Sequence, residues 1–230
     1  MTNDLSLGPP EVRRLLYAIF PGRSIERTEP LSGGLINTNL KITFSSGELP
    51  VVLRLYRRDP TVCLQEVETL RLVGRTVPVP EVLHTEPDGV EGSGPFSVLR
   101  FVEGRTFQEL KRTNNLEGIN EAAASVGQTL AAIGQYRFDK PGSLVVTGAN
   151  KLAVGASYID GPDPIPRILD TFLNNSTLQS LIGTPLSQQL HDFVWAWASL
   201  LPDLTTDSFL VHCDFGNRNI LVNEVTGKWA

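Results

Sequence analysis

Apolar residues recur along this chain with two different periods, and the switches between them mark out its elements. Residues 11–20 place Val12, Leu15, Leu16, Ile19 and Phe20 at helical spacing and stop at Pro21-Gly22, which predicts a leading amphipathic helix with a packing role. The run L-K-I-T-F, the turn Ser45-Ser46-Gly47 and the apolar stretch Val51 to Tyr56 predict a β-hairpin. Asp59 and Pro60 then read as N-cap and first residue of a helix running to Val73, with Cys63, Val67 and Leu70 on one face and Gly74 as its stop. Val77 to Leu83 is a proline-stiffened connector into a strand. Phe96 to Val102 is a further strand, closed by Glu103-Gly104.

The second half is more helical. Residues 117–136 predict a helix whose buried stripe is Ala123, Val126, Leu130 and Ile133, with Tyr136 as its optional last member. From Phe138 to Pro166 the chain is rich in Gly and Pro and aperiodic, as substrate loops and lids often are; Tyr158, Asp160 and Asp163 read there either as solvated groups or as contacts for a cationic substrate. Thr184-Pro185 opens a helix with Leu186, Leu190, Phe193, Val194, Trp197 and Leu201 on one face, expected to be core, and Trp195 beside it as core or subunit contact. Finally, Phe209 to Val222 reads apolar, polar, apolar. Two short strands are expected to hold a loop carrying His212, Asp214 and Asn219.

That loop is where chemistry is expected. Phosphoryl transfer needs a carboxylate to orient the attacking hydroxyl and a nearby oxygen ligand for magnesium, and the H-x-D-x-x-x-x-N spacing of His212, Asp214 and Asn219 is that of a kinase catalytic loop. A polar turn, with Asp214, Gly216 and Asn217 as turn formers, explains the same residues without chemistry. Upstream, Ser32, Gly33, Gly34 and Asn37 lie in a turn where missing Cβ atoms let backbone N–H groups approach phosphate oxygens, although Gly-Gly before a hairpin is often only a turn. Arg54 on a strand and Glu66 on the following helix could form the phosphate-holding ion pair of a kinase or be separate surface charges.

Composition narrows the classes. The chain has 230 residues, 41% hydrophobic and 20% charged, which suits two globular lobes. A net charge of −5 argues against general nucleic-acid binding and permits a cationic substrate. No apolar run approaches a membrane span, and the N-terminus lacks the pattern of a signal peptide. Two cysteines, Cys63 and Cys213, cannot make a disulfide framework, so a cytoplasmic protein is expected.

With the glycine turn L-S-G-G-L-I-N-T-N, the strand V-V-L-R, the segment Q-E-V-E-T-L-R-L-V and the loop H-C-D-F-G-N-R-N in this order, the chain resembles the aminoglycoside phosphotransferase family of small-molecule kinases, related to choline and homoserine kinases, over residues 28–230. The resemblance implies an α+β, two-lobed, protein-kinase-like fold: residues 1–101 as a nucleotide-binding lobe with an antiparallel sheet and helix, residues 102–230 as a mainly helical catalytic lobe. It implies ATP and Mg²⁺ as cofactors and a small-molecule hydroxyl, carried by an amine-bearing compound in parts of the family, as phosphate acceptor. Asp214 becomes the catalytic base, His212 a brace for the loop and Asn219 a magnesium ligand. Ser32, Gly33, Gly34 and Asn37 face the phosphates, Arg54 and Glu66 form the ion pair, and the backbone of Arg100, Phe101 and Val102 reads the adenine edge.

Three positions depart from the family pattern: Cys213 stands where glycine is usual, Arg218 directly precedes Asn219, and the family's second magnesium-binding aspartate has no counterpart before Ala230. The chain is accordingly expected to be C-terminally incomplete, with Ile220, Leu221 and Val222 exposed. Two readings remain open: a small-molecule kinase, and a non-catalytic nucleotide-binding or scaffolding remnant of the same fold. A metal hydrolase is disfavoured, since the chain has three histidines and no second ligand cluster. The acceptor and the oligomeric state are not readable from the sequence.

Overall fold

The computed structural model describes residues 8–31, 37–90, 92–156, 164–197 and 207–223. These fall in two compact units, one drawn from residues 1–133, 146–152 and 211–230, the other from residues 134–145 and 153–210.

The first unit opens with helix α1 (Pro9–Tyr17), followed by strands β1 (Ile25–Pro30), β2 (Thr38–Phe44) and β3 (Val51–Leu55). Helix α2 (Val62–Val73) precedes strands β4 (Val82–Val90) and β5 (Gly94–Arg100). The five strands form one antiparallel sheet in the order β1-β2-β3-β5-β4. Strict alternation on β2 and β3 gives the sheet two unlike faces. On one, Leu40, Ile42, Phe44, Val51, Leu53, Leu55, Phe96 and Val98 pack against Val12, Leu15 and Leu16 of α1. Leu53 is fully buried, which stabilises the sheet by about 2 kcal/mol for that side chain alone. The packing role expected of α1 is what the structure shows.

Helix α2 starts two residues later than expected. The Asp59 carboxylate accepts from the backbone N–H and hydroxyl of Thr61, making a local turn, and the regular helix begins at Val62. Cys63, Val67 and Val73 are buried on it.

The chain continues through β6 (Arg105–Thr106), α3 (Phe107–Lys111) and α4 (Leu116–Ile133). Thr106 and Glu109 cap α3 reciprocally: the Glu109 N–H donates to the Thr106 hydroxyl, and the Glu109 carboxylate accepts from the Thr106 N–H at 2.8 Å. The buried stripe of α4 differs from expectation. Ala122, Thr129 and Ile133 are buried and Val126 half-buried, whereas Ala123 and Leu130 are exposed. Thr129 satisfies its hydroxyl on the Ser125 carbonyl, which lets a threonine occupy a core position that the apolar count gave to its neighbour.

Three short strands follow, β7 (Arg137–Phe138), β8 (Leu144–Thr147) and β9 (Lys151–Val154), with β8 and β9 paired; the expected structureless segment therefore contains a hairpin, while Tyr158, Asp160 and Asp163 lie outside the described residues. Helices α5 (Pro164–Leu173), α6 (Ser176–Ile182) and α7 (Thr184–Trp197) make most of the second unit. Here most of the expected core face is exposed: Leu186, Leu190, Phe193 and Trp197 of α7 all present much of their surface, as does Trp195, while Val194 is half-buried. Leu201 lies outside the described residues.

The last strands, β10 (Ser208–Phe209) and β11 (Leu221–Val222), flank the polar loop as expected but belong to different pairs, β10 with β7 and β11 with β6. Ile220 and Val222 are buried with Leu110 and Ala122 in a second core, so the expectation that Ile220 to Val222 would be exposed is wrong. Their partner is β6, whose two residues Arg105 and Thr106 are too few and too polar to show a strand period.

Candidate functional site

The second face of the five-stranded sheet carries polar side chains. Register places Asn39 of β2 opposite Arg54 of β3, Arg54 opposite Ser97 of β5, and Ser97 opposite Thr85 of β4. Four strands thus contribute one polar row. Helix α2 lies on this side: the Cys63 thiol contacts the Phe96 carbonyl, and Glu66 Oε2 accepts from Arg54 Nη2 at 2.8 Å. The predicted Arg54–Glu66 pair therefore exists. It is about three-quarters buried, with side-chain exposures of 28% and 26%. Burial pushes the Glu66 carboxyl above its usual range, and the Arg54 charge only partly offsets this. Burial likewise pushes the Cys63 thiol up to about 11, which keeps it protonated and inert.

Among the described residues, Asn39 Oδ1, Arg54 Nε and Thr85 Oγ1 of this row, and Asn37 Oδ1 ahead of β2, are buried without a hydrogen-bond partner. Buried polar atoms are usually satisfied, so these orphans beside a cation make the row a candidate for a polar ligand. An arginine with Nη2 held by Glu66 and Nε uncommitted suits phosphate oxygens. Of the predicted phosphate-facing turn, Ser32, Gly33 and Gly34 lie outside the described residues, while Asn37 follows it directly.

At the end of β5 the three predicted adenine-edge residues separate. The Arg100 N–H is engaged by the Glu81 carbonyl at 2.8 Å and the Phe101 N–H by the Pro50 carbonyl at 3.1 Å, whereas the Val102 N–H has no partner among the described residues. Val102 is the residue free to donate. Arg100 Nε is also tied to Glu81, and Lys41 Nζ stands 3.8 Å from the centre of the Phe101 ring. Beyond them, a Cβ on Gly104 would meet the Val222 carbonyl oxygen at 2.7 Å, so the chain leaving β5 can approach β11 this closely only with glycine.

The loop His212 to Asn219 is held from both sides. Its own turns run from Asp214 N–H to the His212 carbonyl, from Gly216 N–H to the Asp214 carbonyl and from Asn219 N–H to the Gly216 carbonyl. Helix α3 clamps it: the Gln108 N–H donates to the Asn217 carbonyl, the Phe107 N–H to the Ile220 carbonyl, and Arg218 Nε to Gln108 Oε1 at 2.9 Å. Phe215 packs on the second core, and the His212 ring meets it edge-on, with centroids 5.3 Å apart. Asp214 and Asn219 are brought together, Asn219 Nδ2 donating to Asp214 Oδ2 at 2.8 Å and to the Asp214 carbonyl at 3.0 Å. With its amide nitrogen so used, Asn219 keeps its side-chain oxygen out of these two bonds. A carboxylate and an amide oxygen are hard donors of the kind magnesium takes alongside phosphates and water, and the pair fits that ion. Among the described residues no group of three or more potential ligands occurs. Cys213 adopts a left-handed backbone with φ of 62°, an uncommon state for a residue with a side chain.

The sequence reading missed the polar row and the Arg218–Gln108 tie. Polar alternation on β2, Asn39, Lys41 and Thr43, and the lone Ser97 within an apolar strand were the signals for the first. Nothing local pointed to the second, whose partners are 110 residues apart.

A family model described as the phosphotransferase enzyme family matches residues 27–229. Among solved structures, a thermostable mutant of the aminoglycoside phosphotransferase APH(4)-Ia, in ternary complex with AMP-PNP and hygromycin B, has a TM-score of 0.63 at 20% identity over 95% of this chain and 68% of that one. The GDP and kanamycin complex of APH(2")-IIia has a TM-score of 0.61 at 15% identity over 95% and 69%. The streptomycin and ATP complex of APH(2")-IIa has 0.58 at 13% over 98% and 69%. These likenesses establish a shared two-lobed α+β fold. No curated protein matches the sequence.

Proposed function

We propose that this chain, which belongs to the phosphotransferase enzyme family, transfers the terminal phosphoryl group of ATP to a hydroxyl of a small molecule. The observation that carries the reading is the Asp214–Asn219 pair, a carboxylate and an amide held together at 2.8 Å in a loop clamped by α3.

In this reading Asp214 accepts the proton of the attacking hydroxyl and orients it, while Asn219 fixes the carboxylate through Nδ2. Magnesium, held by the Asn219 oxygen together with phosphate oxygens, would supply charge neutralisation at the transferring group. Arg54 binds phosphate oxygens, Glu66 holds Arg54, the Val102 N–H reads the base, and His212 braces Phe215 and the loop. Ser32, Gly33, Gly34 and Asn37 line the phosphates, and the backbone at Arg100 and Phe101 sets the position of Val102. Residues 1–101 thus serve the nucleotide and residues 102–230 the acceptor. Two free thiols, Cys63 and Cys213, agree with a reducing, cytoplasmic setting.

The names of the related structures, with hygromycin B, kanamycin and streptomycin as ligands, make polyhydroxylated amines the first acceptors to try; the net charge of −5 is compatible with them. The test is ATP consumption with Mg²⁺ across a panel of aminoglycosides, amino alcohols and amino sugars, with Asp214→Asn as control. Acceptor-dependent turnover that disappears in Asp214→Asn supports the function. Turnover indifferent to that substitution, or none with any acceptor, rejects it.

A further inference from the structure

The loop His212 to Asn219 carries one cation that the function proposed above leaves unused. Arg218 directly precedes Asn219 and is exposed. Its Nε donates to Gln108 Oε1 at 2.9 Å, and among the described residues neither Nη atom has a partner. Asp214, four residues earlier in the same loop, takes its bond from Asn219 and none from Arg218. Gln108 itself is half-buried on α3.

The choice of partner is informative. Arg23, Arg54, Arg100 and Arg137 are each held by a carboxylate, at 2.9, 2.8, 2.7 and 2.9 Å. A carboxylate orients a guanidinium and offsets its charge together. The Gln108 amide oxygen orients Arg218 and leaves the charge whole. The loop does not need this tie to stay in place, because the main chain already clamps it: the Gln108 N–H donates to the Asn217 carbonyl and the Phe107 N–H to the Ile220 carbonyl, both at 2.9 Å. An exposed side-chain bond adds about 1 kcal/mol at most to such a clamp. Its main consequence is the state of the guanidinium, anchored by one edge and open at the other, on a chain of net charge −5.

The tie also joins two segments that carry the proposed chemistry. Gln108 lies six residues beyond Val102, whose N–H is free among the described residues, and Arg218 lies one residue before Asn219, the proposed magnesium ligand. An open Nη edge on a planar guanidinium matches the paired oxygens of a phosphate or carboxylate. Resting on the function proposed above, we propose that Arg218, oriented by Gln108, binds an oxyanion beside the Asp214–Asn219 pair, either a phosphate of the nucleotide or an acid group carried by the acceptor.

The test is calorimetry on the full chain with two probes. The first is Mg²⁺·AMP-PNP. The second, added with AMP-PNP already bound, is a set of three-carbon alcohols that differ in one group: glycerol, glycerate and glycerol 3-phosphate. If the oxyanion is a nucleotide phosphate, Arg218→Gln should weaken AMP-PNP binding about tenfold, the value of one hydrogen bond to a charged group. If it belongs to the acceptor, AMP-PNP binding should be unchanged, and the wild type should prefer glycerate or glycerol 3-phosphate to glycerol, a preference that Arg218→Gln loses. Arg218→Lys, which keeps the charge without the fork, should fall between. Gln108→Glu separates binding from bracing: it keeps the tie but places a carboxylate against the guanidinium, so it should weaken the responding probe more than Gln108→Ala does. A purely bracing role gives the opposite order. Arg218→Gln indistinguishable from wild type with both probes, including a wild type indifferent to the acid groups, overturns the proposal, and so does wild-type affinity in Gln108→Glu. Absence of AMP-PNP binding by the wild type is a separate result: it rejects the functional reading, and the role of Arg218 with it.

Discussion

The five-stranded sheet and the helices α5 to α7 have sequence periods of similar clarity and opposite fates. On β2 and β3 every second residue is apolar, and each of those residues is buried against α1. On α7 the apolar residues repeat just as regularly, yet Leu186, Leu190, Phe193 and Trp197 are exposed. Periodicity states that an element has an apolar face; it does not state what covers that face. In the first unit the cover is α1, adjacent in sequence. On α7, α5 and α6 pack against the helix yet leave those side chains substantially exposed.

The division also separates stability from chemistry on neighbouring residues, and substitutions can break or sharpen it. The largest effect is expected at Asp214, where Asp214→Asn should lower the turnover rate by about 10³-fold while leaving the melting temperature unchanged, since the side chain is exposed. A parallel loss of folding would place Asp214 with the core instead. Next comes Leu53→Ala, on the buried face, which should cost about 3 kcal/mol in chemical denaturation. Its neighbour Arg54 faces the other way, and Arg54→Lys should raise the KM for ATP about tenfold, through loss of the planar fork.

Glu66→Gln sharpens the contrast by pH. The folded-state pKa of Glu66 is raised, so its contribution to stability is fully present below the unfolded carboxylate pKa and is lost as pH rises through the folded value. Thermal melts of the wild type and Glu66→Gln should therefore show the wild type losing ground as pH rises above the ordinary carboxylate range. The smallest effect belongs to α7: Phe193→Ser should change stability by no more than about 0.5 kcal/mol, and a loss of several times that would mean its face is covered after all.

Legibility in the sequence followed the same physical lines. Strands β2 and β3 were readable because a period of two, with the apolar set buried against α1, leaves little choice of phase. In the α4 stripe Val126 and Ile133 are where the period puts them, but Ala122 and Thr129 replace Ala123 and Leu130, because A-A-A-S-V is nearly uniform around the helix and the Thr129 hydroxyl is satisfied on the Ser125 carbonyl. Asp214 with Asn219 and Arg54 with Glu66 were found because each pair is close in sequence. The row Asn39, Arg54, Ser97, Thr85 was not, because its members come from four strands and only register joins them. Polar residues in strands are ordinarily assigned to solvent; here α2 lies on that side.

One residue next to the proposed base offers a different use. Cys213 is exposed and Cys63 fully buried with a raised pKa, and these are the two cysteines of the chain. A maleimide fluorophore should therefore attach once per molecule, one residue from Asp214, on a backbone already in the left-handed region. Labelled there, the protein would report by emission and anisotropy when the loop changes its surroundings, and so register an arriving ligand before any acceptor is known.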